Sequence, residues 1–182
     1  MDGGQTLVQR RESIAAARVA LAGLGDWLWQ AGGGAVGGVG GLAELLGEVD
    51  ALGAACDAAR VAVVGEAIER GEPGSGPQAL SVVSWVRRHA PSTRAGGARA
   101  VVEVAAAFTK AANAPVRAAV QAGVLPVRSA AVVVAEADRL RPVLVAGAEP
   151  HVVDGLVAMA VEHGPRGCRM LRPALLARYG RG

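Results

Sequence analysis

Arginine is by far the most abundant basic residue of this chain, which has eighteen arginines, one lysine and three histidines. The arginines are therefore the first candidates for binding an anion. Two groups of arginines have a spacing suited to phosphate. The first lies in WVRRHAPSTRAGGAR, where a turn between two helices can place the N-terminus of the second on a phosphate or in a groove. The second lies in the last helix, where residues three apart form a ridge and no acid follows Glu162. The candidate nucleic-acid-binding residues are Arg87, Arg88, Arg94 and Arg99 in the first group and Arg166, Arg169 and Arg172 in the second.

Charge is distributed unevenly along the chain. Residues 1–75 carry five bases and ten acids, which gives −5, whereas residues 76–182 carry fourteen bases and six acids, which gives +8. This asymmetry predicts that the C-terminal part meets an anion such as DNA, or an acidic surface. The alternative is a solvated surface, because abundant arginine with Ala, Gly, Val and Pro is also typical of a high-GC genome. Since surface arginines contribute little to stability, we expect the fold to tolerate replacement of the second group by alanine.

No set of residues in the sequence predicts a catalytic centre. The histidines, His89, His151 and His163, are far apart, and none stands at metal-ligand spacing from a cysteine or an acid. No serine lies in a nucleophile elbow, and no pair of carboxylates stands out. We therefore expect a chain without catalytic residues, metal or cofactor.

The element that must position these residues is a long helix over Leu42–Arg70. Its apolar residues recur at steps of three and four, as in an amphipathic helix with one buried stripe. An earlier helix, from about Gln5 to Gln30, has an apolar residue every seven positions. The glycine-rich segment 32–41 is a connector that lets the two helices form an antiparallel pair. The predicted stripe is Leu42, Leu45, Val49, Leu52, Cys56, Ala59 and Val63, and the heptad positions of the first helix are Leu7, Ile14, Leu21 and Leu28.

Shorter helices are predicted after the break GEPGSGP. Prolines stand at their starts and glycines at their ends, as is typical of α-helices. Pro150 begins a helix that ends at Gly164, and Pro165 begins the last, in which Pro173 predicts a kink or a break. The fold class is therefore all-α: a long antiparallel helix pair over residues 1–71 and a cluster of short helices over 78–182, packed on the pair as one domain.

The sequence also bounds the compartment. The two cysteines are far apart and predict no disulfide, and the first residues lack the basic and apolar segments of a signal peptide. The uncharged run Trp27–Ala43 contains seven glycines and is a poor membrane span. We expect a cytoplasmic protein without membrane contact.

Four segments, taken in order, resemble one family. They are DALGAACDAARVAVVGEAIERG, SVVSWVRRHAPS, VRAAVQAGVLPVRSAAVVVAEADRL and EPHVVDGLVAMAVEHGPRGCRMLRPALLARYG, and the pattern AG-x-LP-x-R-S-A at residues 122–130 is the most specific part. From about Leu42 to Gly180 the chain is similar to the helical region called domain of unknown function 222, or the thirteen-E-twelve repeat family. Proteins of that family usually continue into an HNH endonuclease domain.

The resemblance implies an accessory role, because no cysteine pair or histidine pair matches an HNH motif. Our first hypothesis is a non-catalytic, nucleic-acid-associated module of an HNH endonuclease-like protein. The alternatives are a protein–protein or self-association module that forms a homo-oligomer through the heptad helices, and a truncated gene product without activity.

Overall fold

The computed structural model describes residues 6–30 and 41–181, and this part of the chain is all-α. Within these ranges there is no strand, and Leu144 and Gly180 form an isolated antiparallel bridge. The predicted all-α fold class is confirmed. The helices are α1 (Leu7–Gln30), α2 (Gly41–Glu69), α3 (Val82–His89), α4 (Ala98–Ala107), α5 (Ala114–Gln121), α6 (Val127–Leu140) and α7 (Glu149–Tyr179), with 3₁₀ turns at Glu72–Gly74, Pro91–Thr93, Ala111–Asn113 and Arg141–Val143.

The chain divides into two compact units, Met1–Val49 and Asp50–Gly182, and the boundary lies inside α2. The sequence placed residues 50–71 with the first part, whereas they belong to the second unit. The packing of the two parts as one domain stays a prediction. The predicted connector lies, apart from Gly41, outside the described residues.

The core of the second unit is built around α6, which contacts α4, α5 and α7. Its inward side chains are small, in keeping with the 3% aromatic content of the chain, and Ala130 and Val133 are fully buried. Each valine or leucine buried in this way contributes about 1.5–3 kcal/mol relative to exposure. The other side chains that are completely buried in this core are Val104, Val116, Val153, Leu156 and Cys168.

The buried face of α2 differs from the predicted stripe. Val61, Val64 and Ala67 are at most 4% exposed, whereas Val63 is 62% and Val49 39% exposed. The prediction that the Leu42–Val63 stripe is buried is therefore wrong. The reason is that apolar residues surround this helix, so steps of three and four can be followed along more than one face. Which face of α2 is buried depends on the elements that pack against it, and these cannot be identified from the spacing.

Helix α1 exposes its heptad positions. None of its residues is buried, and Leu7, Ile14 and Leu21 are 77%, 69% and 40% exposed. The antiparallel pairing of α1 with α2 stays a prediction.

The two halves of α7 fold back on each other at Gly164, whose backbone angles are φ +65° and ψ −164°. Glycine adopts this positive φ without the steric penalty of a side chain. Beyond the turn the Cys168 thiol lies 3.6 Å from the carbonyl oxygen of Leu156. Gly167 lies so close to Met159 that a Cβ there would be 2.7 Å from the Met159 Cγ. The predicted stop at Gly164 is confirmed.

The predicted break at Pro173 is wrong, because α7 continues through it and Gly164 is the position inside α7 with non-helical angles. A kink at Pro173, the other predicted outcome, stays a prediction. Proline removes a single hydrogen bond, the one that would reach the carbonyl of Arg169. The flanking residues hold the helix in place: Leu175 is 6% exposed, and an arginine at position 172 bonds to α6.

Candidate nucleic-acid interface

The first arginine group lies on the corner formed by α3, the Pro91–Thr93 turn and α4. Ser81 begins α3 by accepting a hydrogen bond from the backbone N–H of Ser84 at 3.2 Å. Val86 on α3 and Ala98 at the start of α4 are each 1% exposed and anchor the corner to the core. The helix–turn–helix order predicted for this segment is present, with Gly97, at φ +98°, immediately before α4.

Three arginines of this corner, Arg87, Arg88 and Arg94, are exposed and have no carboxylate partner among the described residues. Arg88 Nη1 donates to the Gln78 Oε1 atom at 3.2 Å, and Arg94 Nε donates to the backbone oxygen of Arg87 at 3.1 Å. These bonds orient the guanidinium groups without cancelling their charge. The corner can therefore present positive charge to an anion.

Arg99, the fourth member of the predicted group, is differently placed. Its Nε atom donates to Glu103 Oε1 at 2.7 Å, one helical turn along α4. This hydrogen bond and the negative charge of Glu103 raise the pKa of the Arg99 guanidinium. Because Glu103 offsets its charge, Arg99 is a weaker candidate for phosphate contact than the other three.

Arg128 joins the corner although the sequence did not assign it to the site. A Cβ built on Gly96 would lie 3.8 Å from Arg128 Nη2, so this guanidinium lies over the glycines that precede α4. The sequence did carry a signal, since Arg128 is the arginine of the AG-x-LP-x-R-S-A pattern. We call Arg87, Arg88, Arg94 and Arg128 the basic corner.

A groove of about 370 Å³ runs beside the basic corner, between the starts of α4 and α6. Neither start has a side-chain cap, so backbone N–H groups remain available at both. Such N-terminal N–H groups favour anions. On the α2 side, Arg60 hydrogen-bonds Asp57, which lowers the net charge of that wall.

The second arginine group does not form one free ridge. Arg166 and Arg169 are exposed, but Arg172 donates two hydrogen bonds to Glu136 of α6, at 2.8 and 2.6 Å. The Glu136 side chain is 6% exposed and also lies 3.3 Å from Arg139. The expectation that no acid neutralises this group is wrong for Arg172, because the acid comes from another helix 36 positions away.

The described ranges, 6–30 and 41–181, contain no cluster of three or more His, Cys, Asp or Glu that could hold a metal ion. His89 lies beside Trp85 with ring centroids 5.0 Å apart, and His151 stacks on Tyr179 at 6.2 Å. That the chain is not an enzyme stays a prediction. None of the helices that the structure describes combines the length and apolar character needed to cross a membrane.

Comparisons of the chain with models of protein families, with curated proteins and with solved structures give no match. The resemblance to the thirteen-E-twelve repeat family therefore stays a prediction from the four segments quoted above.

Proposed function

We propose that this chain is a non-catalytic helical accessory module of a cytoplasmic HNH endonuclease-like protein, and that it binds nucleic acid through the basic corner. The accessory role follows from the family resemblance. The geometry of the corner supports the location of binding.

The observation that carries this proposal is the exposure of Arg87, Arg88 and Arg94 on one corner without a carboxylate partner in the described chain. Arg128 and the uncapped start of α4 extend the same positive surface. Arginine guanidinium groups form charge-assisted, often bidentate, hydrogen bonds to phosphate. A surface of this kind fits the backbone of a duplex better than it fits an apolar ligand.

The binding is expected to be independent of base sequence. Contacts to phosphate fix the position of a protein on the duplex but carry no base information directly. Each phosphate contact releases counterions, so affinity should fall linearly with the logarithm of the salt concentration.

The test uses fluorescence anisotropy of a labelled duplex over a series of salt concentrations. Replacing Arg87, Arg88 and Arg94 with alanine should weaken binding equally on unrelated sequences and reduce the salt slope by up to about 2.7, from about 0.9 per phosphate contact. The matched control replaces Arg117, Arg178 and Arg181, which removes the same charge from exposed positions outside the corner. That control should bind nearly as well as the unmodified protein.

Two results would overturn the proposal. One is a chain that binds no duplex even at low salt. The other is a corner variant that binds as tightly as the control. If replacement of Arg166 and Arg169 alone abolished binding, the interface would lie on α7 instead. The non-catalytic part is tested separately: the chain should leave supercoiled plasmid intact in the presence of Mg²⁺, Mn²⁺ or Zn²⁺.

A further inference from the structure

Helix α1 carries an exposed apolar seam that the DNA proposal does not use. The seam consists of Leu7, Ile14, Leu21 and Leu28, which recur every seven residues. Leu7 is 77%, Ile14 69% and Leu21 40% exposed, and Leu28 is half-buried. A seven-residue repeat is the spacing at which one helix packs along another as a supercoiled pair.

A helix in this state has few interactions of its own to hold it. No residue of α1 is buried, and most helices in proteins depend on the packing of an apolar face. The helix has 24 residues and is therefore about 36 Å long. Burying the seam requires a partner of similar length with a matching apolar face.

From this we infer that α1 pairs with α1 of a second copy of this chain, the two helices lying antiparallel, and that this contact replaces the pairing with α2 that the sequence predicts. A second copy supplies a seam of identical length and spacing. The charges select the direction: residues 7–18 hold Arg10, Arg11 and Arg18 against Glu12, whereas residues 19–30 hold Asp26 alone. Antiparallel helices bring the basic half of each copy to the acidic half of the other, while parallel helices bring the two basic halves together.

The size of the surface sets the expected strength. Stable interfaces bury about 800 Å² per partner and involve about 20–30 residues a side. One face of a 24-residue helix offers less than this, so the dimer should form and dissociate with concentration. The protein mass should rise from 18.2 kDa towards twice that value as concentration rises.

The experiment measures mass by sedimentation equilibrium of the full chain from about 1 to about 200 µM, a range that spans weak dimers. The seam variant carries Ile14→Glu and Leu21→Glu, which place charges inside the paired seam. The matched control carries Ala15→Glu and Ala22→Glu, which add the same charges to exposed positions about 100° around the helix. Since α1 buries no residue, neither pair of changes removes a contact from the core.

We expect the unmodified chain and the control to dimerise, and the seam variant to dimerise at least about a hundredfold more weakly, because unpaired charges are costly to bury. Unmodified protein that stays at 18.2 kDa over the whole range would overturn the inference, as would a seam variant that dimerises like the control. A mass that rises only when duplex DNA is added would also overturn it, since nucleic acid and not α1 would then join the copies. Circular dichroism of all three proteins verifies that helix content is retained.

Discussion

Replacing Arg172 with alanine would leave the carboxylate of Glu136 inside the protein without its main partner. Arg172 is the only arginine among the seven candidates that bonds across helices to an acid within the described residues, and it does so through two hydrogen bonds of 2.8 and 2.6 Å. The Glu136 side chain is 6% exposed, so water cannot easily replace these bonds. The substitution therefore perturbs the contact between α6 and α7 and not just a surface charge.

The magnitude follows from burial. Removing one partner of a buried ion pair costs about 3–5 kcal/mol, because an uncompensated charge remains. Two features reduce this cost here: Arg172 is itself 32% exposed, and Arg139 stays 3.3 Å from Glu136. We therefore expect the free energy of unfolding to fall by about 2–4 kcal/mol. At about 2–4 °C per kcal/mol for a chain of this size, the melting temperature should fall by roughly 4–16 °C.

Thermal unfolding followed by circular dichroism measures this effect, with Arg169→Ala as the control. Arg169 is exposed and bonds no carboxylate in the part of the chain that is described, so its loss should change stability by less than about 0.5 kcal/mol. Adding Glu136→Gln to Arg172→Ala should restore part of the loss, because the buried group is then neutral. If Arg172→Ala melted together with Arg169→Ala, Glu136 would not depend on this partner and the reasoning would be refuted.

Three further predictions test packing. On α2, Val64→Asp should unfold the protein because Val64 is 3% exposed, whereas Val63→Asp should change stability by less than about 1 kcal/mol; equal effects would mean that another face is buried. On α7, Gly167→Ala should lower the melting temperature, because its Cβ would lie 2.7 Å from a side-chain atom and 3.0 Å from a backbone oxygen. Gly155→Ala, with 3.8 Å to its nearest neighbour, should raise stability by up to about 1 kcal/mol, and the opposite order would contradict this packing. Burial raises the pKa of the Cys168 thiol, so a thiol reagent should modify one cysteine, the exposed one, in the native protein and both after unfolding. Rapid modification of both in the native state would exclude a buried Cys168.

Prolines at helix starts and glycines at helix ends made much of the helix order predictable. The Gly164–Pro165 pair ends one helical segment and begins the next, because glycine accepts a positive φ and proline fits a first helical turn. Pro173 shows the limit of such rules. The same residue type inside a helix costs one hydrogen bond, and tertiary contacts such as those of Leu175 can offset that cost. Sequence identifies the local preference but not the strength of the packing that opposes it.

The sequence predicted that the candidate interface consists of arginines, but it predicted less well which arginines belong to it. Exposed arginines on α3 follow from polarity alone, whereas the partner of Arg172 lies 36 positions away and depends on how α6 meets α7. Arg128, in contrast, was not assigned to the interface from the sequence. It is remote in sequence from the α3–α4 corner but lies close to it in space. Both differences arise from non-local contacts, which spacing along one helix does not encode.

Helix α2 shows why spacing can fail even where it is most regular. The residues from Val61 to Val64 are all apolar and lie on every side of the helix, so the period of the pattern fixes the helix without fixing its inward face. The inward face is Val61, Val64 and Ala67, offset by one position from the predicted stripe at Val63. One position is about 100° of rotation, enough to turn a buried side chain to solvent. Val63 therefore meets solvent although its spacing predicts burial. The apolar positions of α1 are also left uncovered, since no residue of that helix is buried, and it is there that contact with α1 of a second copy is expected.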